Sequence, residues 1–153
     1  TFDANYHTSP PLRTFEDRDA LRAAVAQSII SVSSGHQPHE EAAKQAPFPS
    51  TEAGISSLET VLPLMLRLVD EGLLDINQVV DCLSLAPATT LGLDMGSLSK
   101  GSLANICIVD PDAVWQLTAK TWRSRGQNTP FFGQQMKGQV THTLVDGRIV
   151  FKN

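Results

Sequence analysis

Ser33-Ser34-Gly35-His36-Gln37-Pro38-His39 follows the apolar run Ile29-Ile30-Ser31-Val32 and leads into Glu40-Glu41. Ile29 to Ser34 is short, rich in β-branched residues and not strictly alternating, which predicts a strand buried on both faces of a parallel sheet. Residues 36–55 then form a long loop rich in Pro, Ala, Ser and charge, and loops of this length in compact domains are often functional. His36 and His39 stand three residues apart, a spacing that brings ligands together on a helix. Pro38 between them, and the lack of other ligands nearby, argue against a metal pair.

Around this stretch the chain reads as α/β up to residue 95 and as β afterwards. Thr1 to Arg13, with Pro10-Pro11, predicts an extended segment or loop. Thr14 with Asp17 offers a capping box to an amphipathic helix over 15–28, with Leu21, Ala24, Val25 and Ser28 on its apolar stripe. Ser56 or Ser57 is expected to cap the next helix, whose stripe runs Leu58, Val61, Leu62, Met65, Leu68 and Val69 to a stop at Gly72. Pro63 is expected to kink it. Asp75 with Gln78 gives a second box, and Ala86-Pro87-Ala88 starts a last helical turn ending near Gly92. Beyond Met95 glycines punctuate short β-type runs: Asn105–Val109, Val114–Thr118 and Gln139–Phe151, the last with an Asp146-Gly147 hairpin turn.

Composition bounds the function. The chain has 153 residues, 41% hydrophobic and 18% charged, as in a soluble globular protein. A net charge of -4 leaves no basic footprint for nucleic acid. No apolar run approaches the ~18 residues of a membrane span, and no signal peptide is expected from the opening residues. Cys82 and Cys107 lie in apolar contexts, and two buried thiols in a reducing cytoplasm are expected rather than a disulfide.

The Gly35–His39 stretch resembles the strand-end motif of dihydroorotases, which usually reads Asp-His-x-Pro-His. Other pieces are similar to the same family in order: Pro10-Pro11-Leu12-Arg13, Glu16 to Leu21, Gly54-Ile55-Ser56-Ser57-Leu58-Glu59-Thr60, Ala86-Pro87-Ala88, Gly96-x-Leu98-x-x-Gly101, Ile108-Val109-Asp110, Asn128-Thr129-Pro130-Phe131 and Val145-Asp146-Gly147-Arg148. Each is weak alone, and their order makes the resemblance firm. It implies that residues 1–95 are the last two strand–helix units of a (β/α)₈ metal-hydrolase barrel. Residues 96–153 would then be the C-terminal strands of a small composite β-sandwich. Two of eight strands cannot close a barrel, so the chain is expected to be a piece of a longer protein whose remaining barrel is its first partner.

The resemblance also implies the site. The family's zinc ligands (a His-x-His, a bridging Lys and two further His) lie upstream, so no metal residue and no zinc are expected in this chain alone. The metal makes bound water acidic and a carboxylate moves its proton to the leaving nitrogen. Gly35 stands where that catalytic Asp belongs, so no catalytic residue is expected here. His39 matches the histidine that binds the substrate carboxylate, and Ala53-Gly54 the backbone pair that contacts substrate. Ser9 replaces an Asn that hydrogen-bonds the substrate ring. His36 reads as structural, Arg13 as one half of an ion pair, and His7 and His142 have no motif support. Glu40 and Glu41 are the nearest carboxylates that could replace the missing acid.

Three functions follow as expectations. The first is a catalytically defective dihydroorotase-like protein of pyrimidine biosynthesis, cytoplasmic, acting as a structural partner of aspartate carbamoyltransferase; the chain is most similar to that inactive branch. The second is part of an active zinc dihydroorotase, or of a relative acting on hydantoin or allantoin. The third is a truncated folding unit, for which a cooperative melt of the chain is the test.

Overall fold

A computed structural model describes residues 2–27 and 30–153. Among these residues four helices, α1 (Phe15–Ala26), α2 (Val61–Asp70), α3 (Ile76–Val80) and α4 (Ala86–Thr90), precede three strands, β1 (Ile106–Gln116), β2 (Gln135–Val145) and β3 (Arg148–Lys152). The strands form one antiparallel sheet in the order β1-β2-β3. Short 3₁₀ turns at Ala4–Tyr6, Glu41–Lys44 and Phe48–Ser50 interrupt the long loops.

Local sequence sets the helix starts where the cap lies close by. Thr14 and Asp17 make the expected reciprocal box at α1, and Asp75 and Gln78 make another at α3. The Gln78 amide does more than cap. Its Nε2 also donates to Ala26 O at 2.7 Å, tying α3 to the end of α1. From α3 the chain stays helical through a π-helical turn at Asp81–Leu85, where Ala86 N donates to Asp81 O, and into α4. A π-turn relieves register between helical segments that must both pack. It delivers Cys82 into the core.

Several expectations are corrected here. Residues 30–34 form no strand: the parallel sheet survives only as a single bridge between His36 and Ile55, and Val32 N instead donates to Cys82 O at 3.0 Å. Backbone donors need partners, and without a parallel neighbour they take what lies beside them. Ile29, like Ser28 of the expected first helix, lies outside the described residues. The buried side of α1 is Val25, flanked by half-buried Arg22 and Ala26, whereas Leu21 is 60% exposed. Helix α2 starts at Val61, not at Ser56 or Ser57, so Pro63 falls in its first turn, where a missing N–H leaves no bond unmade and no kink is required. Cys107 is exposed rather than buried, while Cys82 is fully buried; both are free thiols.

Among the described residues two small cores result. Val25, Met65, Leu74, Val79 and Cys82 join α1, α2 and the α3 region, and Leu117, Trp122 and Met136 pack beneath the sheet with Trp115, Phe131 and Phe132. The two β-type runs at 105–109 and 114–118 prove to be one long strand. Its register breaks between Asp110 and Val114, where the Asp110 carboxylate accepts from the amides of Asp112 and Ala113. An aspartate that captures its own downstream amides makes a bulge within a strand and not an end to it. The Asp146-Gly147 turn is as expected, with φ of 49° and 76°, the type I′ geometry that suits a two-residue hairpin.

Candidate functional site

The loop from His36 to His39 is held by contacts from two distant parts of the chain, residues 53–58 and 124–128. His36 Nδ1 accepts from the amides of Ser57 at 3.0 Å and Leu58 at 3.2 Å. An imidazole nitrogen that accepts is unprotonated, so the ring proton sits on Nε2, which faces Ser124 Oγ at 3.5 Å. This explains the late start of α2: the amides ahead of it are capped by a histidine from elsewhere, and neither serine caps the helix. Ser57 Oγ is drawn to Ser34 O at 2.6 Å.

Asn128 is the hub of the site and is only 4% exposed. Its Oδ1 accepts from His39 N at 2.8 Å and Ser56 Oγ at 2.7 Å. Its Nδ2 donates to Gln37 O at 3.0 Å and Gly54 O at 3.1 Å. All the hydrogen-bonding capacity of the amide is used, and the two carbonyls on one side fix which end is nitrogen. Glu59 makes a second fastening, its Oε1 accepting from the amides of Arg123 at 2.8 Å and Ser124 at 2.9 Å. Together they clamp residues 123–128 over the loop.

The residues singled out in sequence come together in part. His39 Nε2 lies 3.0 Å from Ala53 O; a carbonyl can only accept, so Nε2 carries the proton. Gly54 N donates to His7 O at 2.8 Å. A Cβ on Gly54 would stand 2.8 Å from His39 Nε2 and from Gln37 Cβ, so only glycine allows this approach. Ser9, exposed and joined to Pro10 by a cis peptide, shares the wall of an open cleft of about 710 Å³ with Ala53, His7, Tyr6 and Phe48. Gly35 lies apart from these contacts, exposed, at φ 56°, with no atom within 4 Å of where a Cβ would stand. The position has room for a side chain and carries none.

Other candidates are placed by ordinary contacts. Arg13 pairs with Asp17 at 3.5 Å on the surface. Glu41 accepts from Gln45 Nε2 at 3.2 Å within its turn, and Glu40 is exposed. His142 sits in β2, with Nδ1 3.2 Å from Thr141 Oγ1. Asn128 and Glu59 lie inside quoted motifs, yet their roles went unread, because their partners are 64 to 91 residues away.

Among the described residues no three or more His, Cys, Asp or Glu side chains converge as a metal centre requires. Gly35 offers no side-chain donor atom, and His36 Nδ1 is taken by two amides, so these residues do not by themselves fit a zinc ion. No helix among the described residues is long and apolar enough to cross a membrane.

The chain is 48% identical over 149 residues to a dihydroorotase-like protein of Pseudomonas putida, covering 97% of this chain and 35% of that one. It is 40% identical over 152 residues to a dihydroorotase of Geobacter sp. (strain M21), covering 99% and 36% respectively. It thus spans about a third of these relatives. Among solved structures, the L-hydantoinase (dihydropyrimidinase) of Arthrobacter aurescens superposes with a TM-score of 0.86 at 29% identity, covering 98% of this chain and 36% of that one. The D-hydantoinase of Thermus sp. does so with a TM-score of 0.86 at 28% identity, covering 97% and 34%. Residues 12–150 match the Amidohydrolase family, and the chain belongs to that family.

Proposed function

We propose that this chain is the C-terminal part of a dihydroorotase-like protein of pyrimidine biosynthesis that has lost catalysis and serves as a structural partner of aspartate carbamoyltransferase. The carrying observation is Gly35. It follows the last residues of the expected barrel strand, directly before a His36-to-His39 loop that is otherwise intact, and it has no atom that could take or give a proton. The space beside it is open, so packing does not exclude a side chain there, while its left-handed backbone, φ 56°, is one that glycine adopts without strain.

In this reading residues 1–95 supply the last two strand–helix units of a (β/α)₈ barrel, and residues 96–153 supply strands of a β-sandwich. Exposed Phe15 and Leu21 on α1, and Ile149 and Val150 on β3, support it, since large apolar groups on one helix and one edge strand suit further chain packed over them. Zinc, if the intact protein holds it, takes its ligands from outside this segment. The alternative is an active cyclic amidohydrolase, favoured by relatives that carry the name dihydroorotase.

Co-expression of the intact protein with aspartate carbamoyltransferase tests the proposal. The expected result is a single co-eluting assembly at constant stoichiometry. Separate elution of a monodisperse dihydroorotase-like protein at micromolar concentration would overturn the structural role.

A further inference from the structure

A second cleft, of about 630 Å³, opens between the start of α2, residues 120–123 and the three strands of the sheet. It shares no lining residue with the cleft beside Ser9 and Ala53. Trp115 and Trp122 form two of its walls, and their indole N–H groups are already spent. Trp115 Nε1 donates to Gly138 O at 2.9 Å and Trp122 Nε1 to Gly126 O at 2.7 Å. Those bonds orient the rings and leave them only apolar surface to offer, to which Phe151 and Leu62 add. The charged groups that remain available are basic. We propose that this cleft binds a small aromatic anion, with its ring against the apolar walls and its acidic group in the fork of Arg123, beside Lys120.

Arg123 is set for this at both ends. Its backbone N donates to Glu59 Oε1 at 2.8 Å, and its guanidinium carbon sits over the Phe151 ring, 4.8 Å from the centroid. A guanidinium placed by a ring has its position set without using its N–H donors, which stay available to meet a carboxylate or phosphate with two parallel bonds. Arg18 sits over Phe15 in a similar way, but its Nη2 is taken by Asp19 at 2.7 Å. Neither Arg123 nor Lys120 pairs with a carboxylate among the described residues. Glu59 is the one acid lining the cleft among those residues, and its Oε1 is engaged by the amides of Arg123 and Ser124. In a chain of net charge -4 this wall therefore sets positive charge beside apolar rings, the few-polar, mostly apolar make-up of a small-molecule site. The cleft also lies apart from the side of α2 where further barrel is expected. Leu64 and Leu68 line the groove beside residues 32–34, whereas Leu62 lines this cleft.

Naphthalene-2-carboxylate is the probe, titrated calorimetrically into the intact protein beside the neutral naphthalene-2-carboxamide and inorganic phosphate. The carboxylate is expected to bind with a Kd of about 1 mM or tighter, and the other two about tenfold more weakly or worse. Arg123→Gln should weaken carboxylate binding about tenfold, the worth of one charge-assisted hydrogen bond. Arg123→Lys keeps the charge but loses the planar fork, and should not restore the affinity. Both substitutions leave the backbone bond to Glu59 in place, and a melting curve checks that each variant is folded. Lys120→Gln, at an exposed residue, is the second variant and should weaken binding in the same direction. His39→Ala, in the loop that the resemblance gives to substrate, should leave binding unchanged. The proposal is overturned by no carboxylate binding to the intact protein, or by binding that both Arg123→Gln and Lys120→Gln leave intact. Loss of binding in His39→Ala overturns it by moving the site to the loop. Equal binding of the carboxamide, or of phosphate, overturns it by removing the need for the charge or for the ring.

Discussion

Asn128 shows best how single residues hold this site. It touches Gln37, His39, Gly54 and Ser56 with one buried amide, so no apolar replacement can satisfy the groups it leaves behind. Each orphaned buried polar group costs about 1–3 kcal/mol. Asn128→Leu should therefore lower stability by at least about 2 kcal/mol in a denaturant melt. Asn128→Asp should cost as much or more, since it keeps the two bonds to Oδ1 but sets a carboxylate oxygen against the carbonyls of Gln37 and Gly54. An Asp variant of unaltered stability would mean that the hub is not closed as described. At this scale the sequence was legible where function and neighbours are contiguous. Gly35 and His39 stand out because the motif around them spans a few residues. Asn128, Glu59 and His7 did not, because each acts on backbone far along the chain, and a backbone partner leaves no trace in residue identity.

Among elements, the two capping boxes were readable because all their atoms lie within four residues. At α1 the box has a pH signature. The Thr14 hydroxyl, then the Thr14 amide, donate to the Asp17 carboxylate and hold its pKa below the ordinary value of 3.8. A carboxyl with a lowered pKa in the folded state favours folding above its unfolded value. That contribution is lost as pH falls through the lowered folded value, so the α1 terminus should loosen only in acid below the ordinary carboxylate range. Carbon-13 titration of the Asp17 carboxyl should show this depressed midpoint, moving up toward 3.8 in Thr14→Ala. An ordinary midpoint in the unaltered protein would contradict the box. The start of α2 was not readable for the opposite reason: its cap comes from His36, 21 residues from Ser57. The long β1 strand was misread as two because an Asp-Pro-Asp sequence, a turn signal in isolation, forms a bulge when β2 continues alongside.

For the whole molecule, α/β order and hairpin topology follow from local pattern, while the parallel strand expected at 29–34 does not form over residues 30–34. A parallel strand depends on neighbours that hydrophobic pattern cannot supply, and here one bridge between His36 and Ile55 stands in for a sheet. The molecule is joined instead by small cores and polar staples. The Asn128 and Glu59 clamps are buried or half-buried, whereas the Lys137 pairs with Asp70 at 2.8 Å and Asp112 at 3.5 Å are surface contacts of the kind that add little. The proposed loss of catalysis rests on the missing side chain at Gly35. It is tested most directly by assaying dihydroorotate hydrolysis with the intact, zinc-loaded protein beside its Gly35→Asp, Ser9→Asn variant. No turnover by the unaltered protein is predicted, and any turnover gained by the variant would strengthen the account. Robust turnover by the unaltered protein would contradict it and move the search for the acid to Glu40 and Glu41.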